Sequence, residues 1–432
     1  MWLDRNGPRT LPAGLNRIAI MASRPLNVLW LIDHVCFDGS LHAGGRLYMN
    51  LLPRMDPARV RIFPYFLNAS DAVVKVFNEN NHPAVNLNLN KLDPLGPFKV
   101  WSLARKHNVD VMHLFCFGAA MYGRFASVFN GVPTVVHEFD TPTYGPYPAH
   151  FSVIDRMLAG RTNFAFAAST HCREFVRDQR FIPEDKIDVL YHAVPQEKFE
   201  IARTLTRADA RAELGWSPQA FSFISVTKLG PDRGNEALIE AFSKVKKQLP
   251  TATLHIIYRP TLYHKIPVKY KDVPWLGDPV ATRKRIEDLI DAQGVRDSVT
   301  LVEMEAPERH EPYFAASDVM VAPFEDPRFS SVNLIEGMVF GRPHIVTDVG
   351  EPADIVNRWG AGVKVPIKDP EALAQAMLSL AGNPALLDAL SRKARTAAIE
   401  FGVDAVADRL ARLYARLAEG ERVVVPRAGA VM

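Results

Sequence analysis

The sequence predicts an α/β protein with two domains, each built on a doubly wound parallel sheet. Strand-like and helix-like patterns alternate along nearly the whole chain, and this order indicates parallel strands covered by helices on both faces. The chain has 432 residues, whereas single hydrophobic cores stop growing near roughly 250–300 residues. Two such Rossmann-like domains would face each other across a cleft at the carboxyl ends of their strands, where open α/β sheets bind ligands.

The first domain is predicted over residues 26–203, after an irregular, proline-containing lead-in of residues 1–25. Its first strand is predicted in NVLWLID and its first helix in GGRLYMNLL. The alternation continues through RIFPYFL, FKVWSLARKH, VDVMHLF, YGRFASVFN, PTVVHEF, NFAFAAS, THCREFVRDQ and KIDVLYH.

The second domain is predicted over residues 204–395, because a polar, helix-prone segment near residues 200–219 separates the two runs of alternation. The pattern restarts with SFISVTKL, NEALIEAFSKVKKQL and ATLHIIY, and later strands are predicted in SVTLVEM, DVMVAPF and PHIVTDV. We expect a C-terminal helix at residues 396–420 to pack back on the first domain, followed by a tail at residues 421–432.

The composition argues against several classes of function. The chain carries 51 basic and 48 acidic side chains, for a net charge of +3, and this balance gives no indication of nucleic-acid binding. No apolar run approaches the ~20 residues that a membrane-spanning helix needs, and the N-terminus lacks the pattern of a signal peptide. The three cysteines are isolated and lack metal-ligand spacing. A cytoplasmic enzyme is the simplest expectation.

Two loops carry candidate phosphate-binding residues. Gly44 and Gly45 lie between the first strand and the first helix, where backbone N–H groups can approach an anion closely, although glycines at such a turn are as often only turn residues. Lys228 and Arg233 follow the first strand of the second domain. Two cations ahead of a helix suit a diphosphate, but an isolated pair would more often be solvated loop charges.

A third candidate is the segment PFEDPRFSSVNLIEGMVFGRP, which runs from a strand end into a predicted helix. Its small and hydroxyl-bearing residues can offer donors to an anion: Ser330, Ser331, Val332 and Asn333. Glu336, expected on the first helical turn, can accept hydrogen bonds from ribose hydroxyls. The alternative is a serine-capped helix with an exposed glutamate. Together these groups would suit a sugar nucleotide.

The motifs and their order along the chain resemble those of the family-four retaining glycosyltransferases of the GT-B fold. The resemblance covers the chain from about residue 27 to residue 417. The strand VDVMHLF, the run AASTHCREFVRDQRFIPEDKIDVLYHAVPQEKF and the second-domain segments SDVMVAPF and LIEGMVFGRPHIVTDVG carry the resemblance. It implies a nucleotide-sugar donor on the second domain, an acceptor on the first, and transfer with retained anomeric configuration without a metal or other cofactor. The acceptor would be a sugar, a lipid-linked molecule or another small molecule.

The resemblance also implies roles for individual residues. Lys228 and Arg233 stand where the family keeps two cations against the diphosphate, and they would stabilise the leaving group. Glu336 is the second glutamate of the E-x7-E motif, expected on the ribose. Gly44 and Gly45 match the glycine loop of the first domain.

The chain departs from the family pattern at the donor sugar. Arg328 stands where the first glutamate of E-x7-E belongs, and an arginine cannot accept hydrogen bonds from sugar hydroxyls. It could bind an anionic group of an unusual ligand. We favour a solvent-facing orientation, with Glu325 or backbone groups holding the sugar. The interdomain Asn-Gly of the family is His192–Ala193 here.

Further departures concern the acceptor side. Phe139 stands where the family keeps an active-site histidine, and His137 precedes it by two residues on the same strand face. His137 could polarise the sugar or the acceptor, or it could be a strand histidine satisfied by backbone groups. Arg46, Tyr144 and Tyr147 are candidate acceptor contacts, although the two tyrosines could instead fill the rim of a domain interface. The segment at residues 258–275 could form a lid, a partner contact or a membrane-facing patch.

The sequence therefore predicts a retaining glycosyltransferase, monomeric or homodimeric, with peripheral membrane contact as an option. A sugar-nucleotide epimerase and a non-catalytic scaffold subunit of the same fold remain alternatives. The donor base, the sugar and the acceptor are not determined.

Overall fold

The computed structural model describes residues 24–33, 36–37, 40–41, 43–79, 83–90, 92–139, 147–260, 273, 276, 278–304, 309–328 and 332–425. Most of the lead-in, the end of the tail and most of the 258–275 segment lie outside these residues.

The first domain contains a seven-stranded parallel sheet. Its strands are β1 (Leu26–Ile32), β4 (Val60–Phe66), β5 (Val85–Asn86), β6 (Val111–Phe115), β7 (Thr134–Glu138), β8 (Phe164–Ala167) and β9 (Ile187–Val189). They are arranged in the order β5-β4-β1-β6-β7-β8-β9. A short antiparallel pair, β2 (Cys36–Phe37) and β3 (Ser40–Leu41), follows β1.

The second domain contains a six-stranded parallel sheet. Its strands are β10 (Ser222–Thr227), β11 (Thr253–Tyr258), β12 (Val299–Glu303), β13 (Val319–Ala322), β14 (His344–Thr347) and β15 (Gly362–Val365). Their order is β12-β11-β10-β13-β14-β15. The two sheets confirm the predicted architecture of two doubly wound domains.

Helices cover both faces of each sheet. Those of the first domain are α1 (Ala43–Leu51), α2 (Asp71–Glu79), α3 (Gly96–Lys106), α4 (Cys116–Asn130), α5 (Ala149–Leu158) and α6 (Thr170–Gln179). They are followed by α7 (Gln196–Thr204), α8 (Arg207–Leu214), α9 (Asn235–Gln248), α10 (Pro279–Ala292), α11 (Glu311–Ala316), α12 (Val332–Val339), α13 (Gly350–Trp359), α14 (Pro370–Gly382), α15 (Pro384–Ala398) and α16 (Val403–Ala418).

Burial on both faces explains why the strands read as continuous apolar runs. In β1, Val28 and Trp30 belong to the core beneath α1, α2 and α16, whereas Leu29 and Leu31 belong to the core beneath α3 to α6. Successive side chains of a strand point to opposite faces, so a strand between two helix layers needs apolar residues at every position.

The strand order reverses beside the first strand of each sheet. β1 lies between β4 and β6, and β10 lies between β11 and β13. Chain segments that leave the two central strands at such a point diverge to opposite faces, which opens a crevice at the carboxyl ends. The loops after β1 and β6 in the first domain, and after β10 and β13 in the second, line these crevices.

The chain crosses between the domains earlier than the predicted boundary at residue 203. Phe199 and Ala202 of α7 pack on the core of the second domain, so the crossing lies at residues 190–195. The return crossing lies beside it, because the Val194 N–H donates to the Phe401 carbonyl over 2.8 Å and the Val403 N–H donates to the Val194 carbonyl over 2.9 Å. The two crossings thus form one hydrogen-bonded pair of segments.

The last helix belongs to the core of the first domain. Leu410 and Tyr414 of α16 are buried against the sheet face that carries Trp30. The Tyr414 hydroxyl accepts a hydrogen bond from Trp30 Nε1 at 3.2 Å and lies 2.6 Å from His113 Nδ1. A helix that follows the second domain in sequence therefore ties that domain to the first.

A hydrogen bond links the helix that follows β8 in the first sheet to the helix that follows β14 in the second. Thr170 begins α6 after β8, and its N–H donates to the carboxylate of Asp354, near the start of α13 after β14, over 3.1 Å. The two domains therefore contact each other beyond the carboxyl ends of these two strands.

Candidate functional site

Two loops of the second domain meet at the reversal of strand order. The Glu325 N–H, in the loop after β13, donates to the Asp232 carbonyl, in the loop after β10, over 2.8 Å. The Arg233 guanidinium lies 5.5 Å from the centroid of the Phe324 ring. Because β10 and β13 are adjacent parallel strands, their carboxyl ends lie at the same edge and hold these loops in contact.

Gly234 makes this close contact possible. Its φ is +67°, and a Cβ there would lie 1.9 Å from the Pro323 carbonyl oxygen. Any larger residue would therefore separate the two loops. Gly234 is also the N-cap of α9, so the loop delivers Lys228 and Arg233 to a helix N-terminus. Lys228 is exposed and Arg233 partly exposed, and this combination of cations and helix dipole favours an anion.

The loop after β14 packs against the loop after β13. Gly350, after β14, has a φ of +64°, and a Cβ there would lie 2.6 Å from the Pro327 carbonyl oxygen. The Thr347 hydroxyl donates to the Phe324 carbonyl. The loop at residues 323–328 is thus held between its two neighbours.

Arg328 does not face solvent, so our expectation for this residue is wrong. Its side chain is 18% exposed, with Nε 2.8 Å and Nη2 2.5 Å from the two carboxylate oxygens of Asp326. The Asp326 carboxylate also accepts from the Arg328 N–H over 3.0 Å. Such a bidentate pair largely neutralises the arginine within its own loop. Glu325, in the same loop, lies 3.4 Å from Lys368 Nζ.

Glu336 lies on the second turn of α12 rather than the first, and it is buried rather than exposed. Its Oε2 is 3.0 Å from Nζ of Lys198 on α7, and the same Nζ is 2.8 Å from Oε1 of Glu311 on α11. Burial by itself lowers the pKa of Lys198, but the two carboxylates outweigh it and raise that pKa above its usual value. Sequence analysis missed Lys198, because nothing in PQEKF indicates partners so far along the chain.

Other predicted donor residues are only partly described. Val332 and Asn333 begin α12 and are partly exposed, whereas Ser330 and Ser331 lie outside the described residues. Gly44 and Gly45 lie inside the first turn of α1 rather than ahead of it. The side chain of Arg46 and the whole of Tyr144 also lie outside the described residues.

Asp33 is a second residue that sequence analysis missed. It follows β1, is 5% exposed, and its Oδ2 accepts the Gly118 N–H near the start of α4 over 2.8 Å. A carboxylate therefore lies at the reversal of strand order in the first domain, next to α1. The available signal was an acidic residue directly after a buried strand, in LID.

His137 lies in the hydrophobic core and is 1% exposed. Its ring stacks on Phe139 at 4.2 Å and on His113 at 5.3 Å. Neither ring nitrogen has a hydrogen-bond partner among the described residues, so it is not satisfied by their backbone groups either. Burial, assisted by Arg409, lowers its pKa to about 3. The described structure therefore presents no catalytic histidine at this position.

Tyr147 is held inside the first domain. Its hydroxyl donates to Asp155, which also pairs with the buried Arg124. Its ring contacts Phe117 and Phe175 edge-on. These contacts hold Tyr147 within the first domain rather than placing it for stacking on an acceptor sugar.

Two protein-family models match the chain. The model described as Glycosyltransferase Family 4 matches residues 59–198. The model described as Glycosyl transferases group 1 matches residues 206–397. The first range lies within the first domain and the start of α7, and the second covers most of the second domain.

One curated relative is the D-inositol 3-phosphate glycosyltransferase of Thermobispora bispora. The chain is 29% identical to it over 246 residues, which are 55% of this chain. The match covers 54% of that protein, so the chain spans about half the length of this relative.

Solved structures of other proteins share the fold over most of the chain. A glycosyltransferase from Rickettsia africae aligns with a TM-score of 0.71 and 16% identity, covering 91% of this chain and 98% of that one. HepE of Anabaena, solved in complex with UDP, aligns with a TM-score of 0.69 and 17% identity, covering 90% and 100%. HepE has also been solved with UDP-glucose.

Replacing His137 with phenylalanine should make stability less dependent on pH. The folded protein holds the pKa of His137 far below its usual 6.5. On acidification, the imidazole of His137 is therefore protonated in the unfolded chain while it stays neutral in the folded protein. Stability falls as the pH falls from about 7 toward 3, and one such histidine accounts for about 2 kcal/mol by pH 5.

Urea unfolding at pH 7 and pH 5 measures this difference. His137→Phe should lose about 2 kcal/mol less than the wild type between the two pH values. The exposed His150 provides the control, since His150→Phe should leave the difference unchanged. A wild-type pH dependence in His137→Phe would contradict the core interpretation.

Proposed function

The chain belongs to the family-four glycosyltransferases of the GT-B fold, and from this membership we propose that it transfers a sugar from a nucleoside diphosphate to an acceptor hydroxyl with retention of configuration. The observation that carries the proposal is the meeting of the Lys228–Arg233 loop with the 323–328 loop at the reversal of strand order. Ligands of open α/β sheets bind at this place.

The proposed diphosphate lies at the N-terminus of α9, against Lys228 and Arg233. HepE, which shares the fold, was solved with UDP and with UDP-glucose. This supports a sugar linked to a nucleoside diphosphate as the donor. Preorganised cations stabilise the negative charge that builds on the leaving phosphate, and this electrostatic effect is usually the largest that an enzyme supplies.

In the proposed reaction, the bond between the anomeric carbon and the β-phosphate oxygen breaks, and its electron pair stays on that oxygen. The acceptor oxygen forms the new bond on the same face of an oxocarbenium-like sugar. The acceptor proton passes to the leaving phosphate. This scheme assigns no proton transfer to His137, in keeping with its burial, and no step to a metal ion.

The donor sugar is proposed to be neutral. Arg328 is engaged with Asp326, which weakens the case for an anionic ligand group at this position. Glu325 lies in the same loop and can accept hydrogen bonds from sugar hydroxyls. The proposed ribose contact is Glu336, and the proposed acceptor side is the crevice near Gly45 and Asp33.

We expect at least one nucleoside diphosphate or its sugar conjugate to raise the unfolding temperature in a panel of uridine, guanosine and adenosine compounds. A ligand at 100 times its dissociation constant adds about 2.7 kcal/mol of stability. With the donor so identified, transfer should persist in EDTA, and NMR should show the donor's anomeric configuration in the product.

Each outcome bears on a different part of the proposal. A panel without any shift would favour the scaffold interpretation. Loss of transfer in EDTA that a divalent ion restores would contradict the metal-free scheme, and an inverted product would contradict retention.

Lys228→Ala and Arg233→Ala should each weaken nucleoside diphosphate binding. Each variant removes a charge-assisted contact of about 1.5–3 kcal/mol, which corresponds to roughly 10- to 150-fold in the dissociation constant. Calorimetric titration measures this loss. The exposed Lys284 of α10 is the control, because Lys284→Ala should bind as the wild type does. Unchanged affinity in both site variants would exclude this loop as the diphosphate site.

We also propose that the first domain contacts a membrane that carries anionic lipid, through an apolar face on α3 to α5. We take as this face the exposed apolar side chains in and beside these helices, Leu95, Phe98, Val128, Phe129, Val153 and Met157. The Phe98 and Phe129 rings stack at 5.9 Å. Every exposed charged side chain among the described residues 94–163 is cationic. Exposed apolar groups on helices whose exposed charges are cationic suit an anionic lipid surface, and such contact would favour a lipid-linked acceptor.

Within the part of the chain that the structure describes, no helix is long and apolar enough to cross a bilayer. The protein should sediment with vesicles of phosphatidylcholine and phosphatidylglycerol more than with phosphatidylcholine alone. Phe98→Ser with Phe129→Ser should reduce the bound fraction, whereas Val280→Ser, at an exposed position of the second domain, should not. Equal vesicle binding by the wild type, the double variant and Val280→Ser would argue against membrane contact through the apolar face.

A further inference from the structure

Lys198 joins three helices of the second domain at the proposed ribose contact. It lies on α7, and its ammonium group lies between carboxylates of α11 and α12, 2.8 Å from Glu311 and 3.0 Å from Glu336. The three side chains are only 17%, 13% and 11% exposed. This arrangement is more than a surface ion pair, because little of it is open to water.

The arrangement bears directly on what Glu336 can do. A buried carboxylate without a cation nearby tends to take up a proton or turn toward solvent. An ionised carboxylate has about four acceptor positions on its two oxygens. Lys198 engages Oε2 and so holds the carboxylate in one orientation, while acceptor positions remain for a diol.

Glu311 in turn holds Lys198. A lysine side chain is long and loses rotamer freedom when it is fixed, so a single carboxylate would position it poorly. The second carboxylate restricts the ammonium group to the space between α11 and α12. Glu336 is thereby oriented by an ammonium group that is itself fixed.

We propose that Lys198 is a positioning residue that holds the Glu336 carboxylate in the orientation that accepts the ribose hydroxyls of the donor. This inference rests on the proposed function, because it requires a nucleoside diphosphate in the site. Lys198 itself touches neither the sugar nor the diphosphate in this scheme. Its effect should therefore be confined to the recognition of the ribose hydroxyls.

The test compares two ligands that differ only in those hydroxyls. The probe is whichever of uridine, guanosine or adenosine diphosphate binds the wild type most tightly, and its partner is the 2′,3′-dideoxy form. The measured quantity is the ratio of their dissociation constants by calorimetry. In the wild type, the dideoxy form should bind about 10- to 100-fold more weakly, since a carboxylate loses one or two charge-assisted hydrogen bonds.

Lys198→Met and Lys198→Gln should both bring this ratio close to one, as Glu336→Gln should. Lys198→Arg keeps a cation and should recover part of the discrimination. Lys284→Met, at an exposed lysine, should leave the ratio at the wild-type value. Circular dichroism identifies which variants are folded, and either neutral variant of Lys198 is sufficient for the test.

A merely structural role for Lys198 would weaken the binding of both ligands equally and leave the ratio unchanged, and this result would overturn the inference. A wild type that binds nucleoside diphosphates without preferring ribose would also overturn it, while leaving sugar transfer standing. A wild type that binds no nucleoside diphosphate would overturn the proposed function and the inference together.

Discussion

The reversal of strand order beside β10 is the constraint on which the candidate site depends. The chain leaves β10 toward β11 and later returns on the other side as β13. Loops that are far apart in sequence therefore emerge from neighbouring strands at one edge of the sheet. Gly234 then decides how close they come, because the Pro323 carbonyl occupies the space where a side chain would begin. The cations, the helix N-terminus and the 323–328 loop form one surface for this reason.

The charged side chains of these loops and helices fall into two groups. Some form ion pairs inside the protein, and others lie at the crevice. Arg328 is matched by Asp326 inside a single loop, and Lys198 is shared by Glu311 and Glu336. Such partly buried pairs are costly to break, because the remaining charge would lie in a poorly hydrated environment. Lys228 and Arg233 lie at the more exposed edge, where a ligand with two phosphates can reach them.

In the first domain, buried ion pairs and histidines serve packing within the domain. At the carboxyl end of β7, Glu138 pairs with the buried Arg180, and Asp155 of α5 pairs with Arg124 of α4. His137 and His113 lie under α16 among aromatic rings, with pKa values lowered by burial. These groups hold helices and strands together. On the crevice side of this domain, Asp33 lies at the reversal of strand order, whereas His137 and Tyr147 are held within the domain.

The sequence by itself determined the two-domain α/β class, the order of the motifs and the family, because alternation and local spacing are properties of neighbouring residues. It also placed Lys228 and Arg233 correctly after a strand and before a helix. The orientation of Arg328, the burial of His137 and the crossing at residues 190–195 were decided only by the tertiary structure. So were the partners of Lys198, which lie 113 and 138 residues away. A side chain's charge state and exposure depend on what packs against it, and residues so far apart in sequence become neighbours only when the sheets assemble.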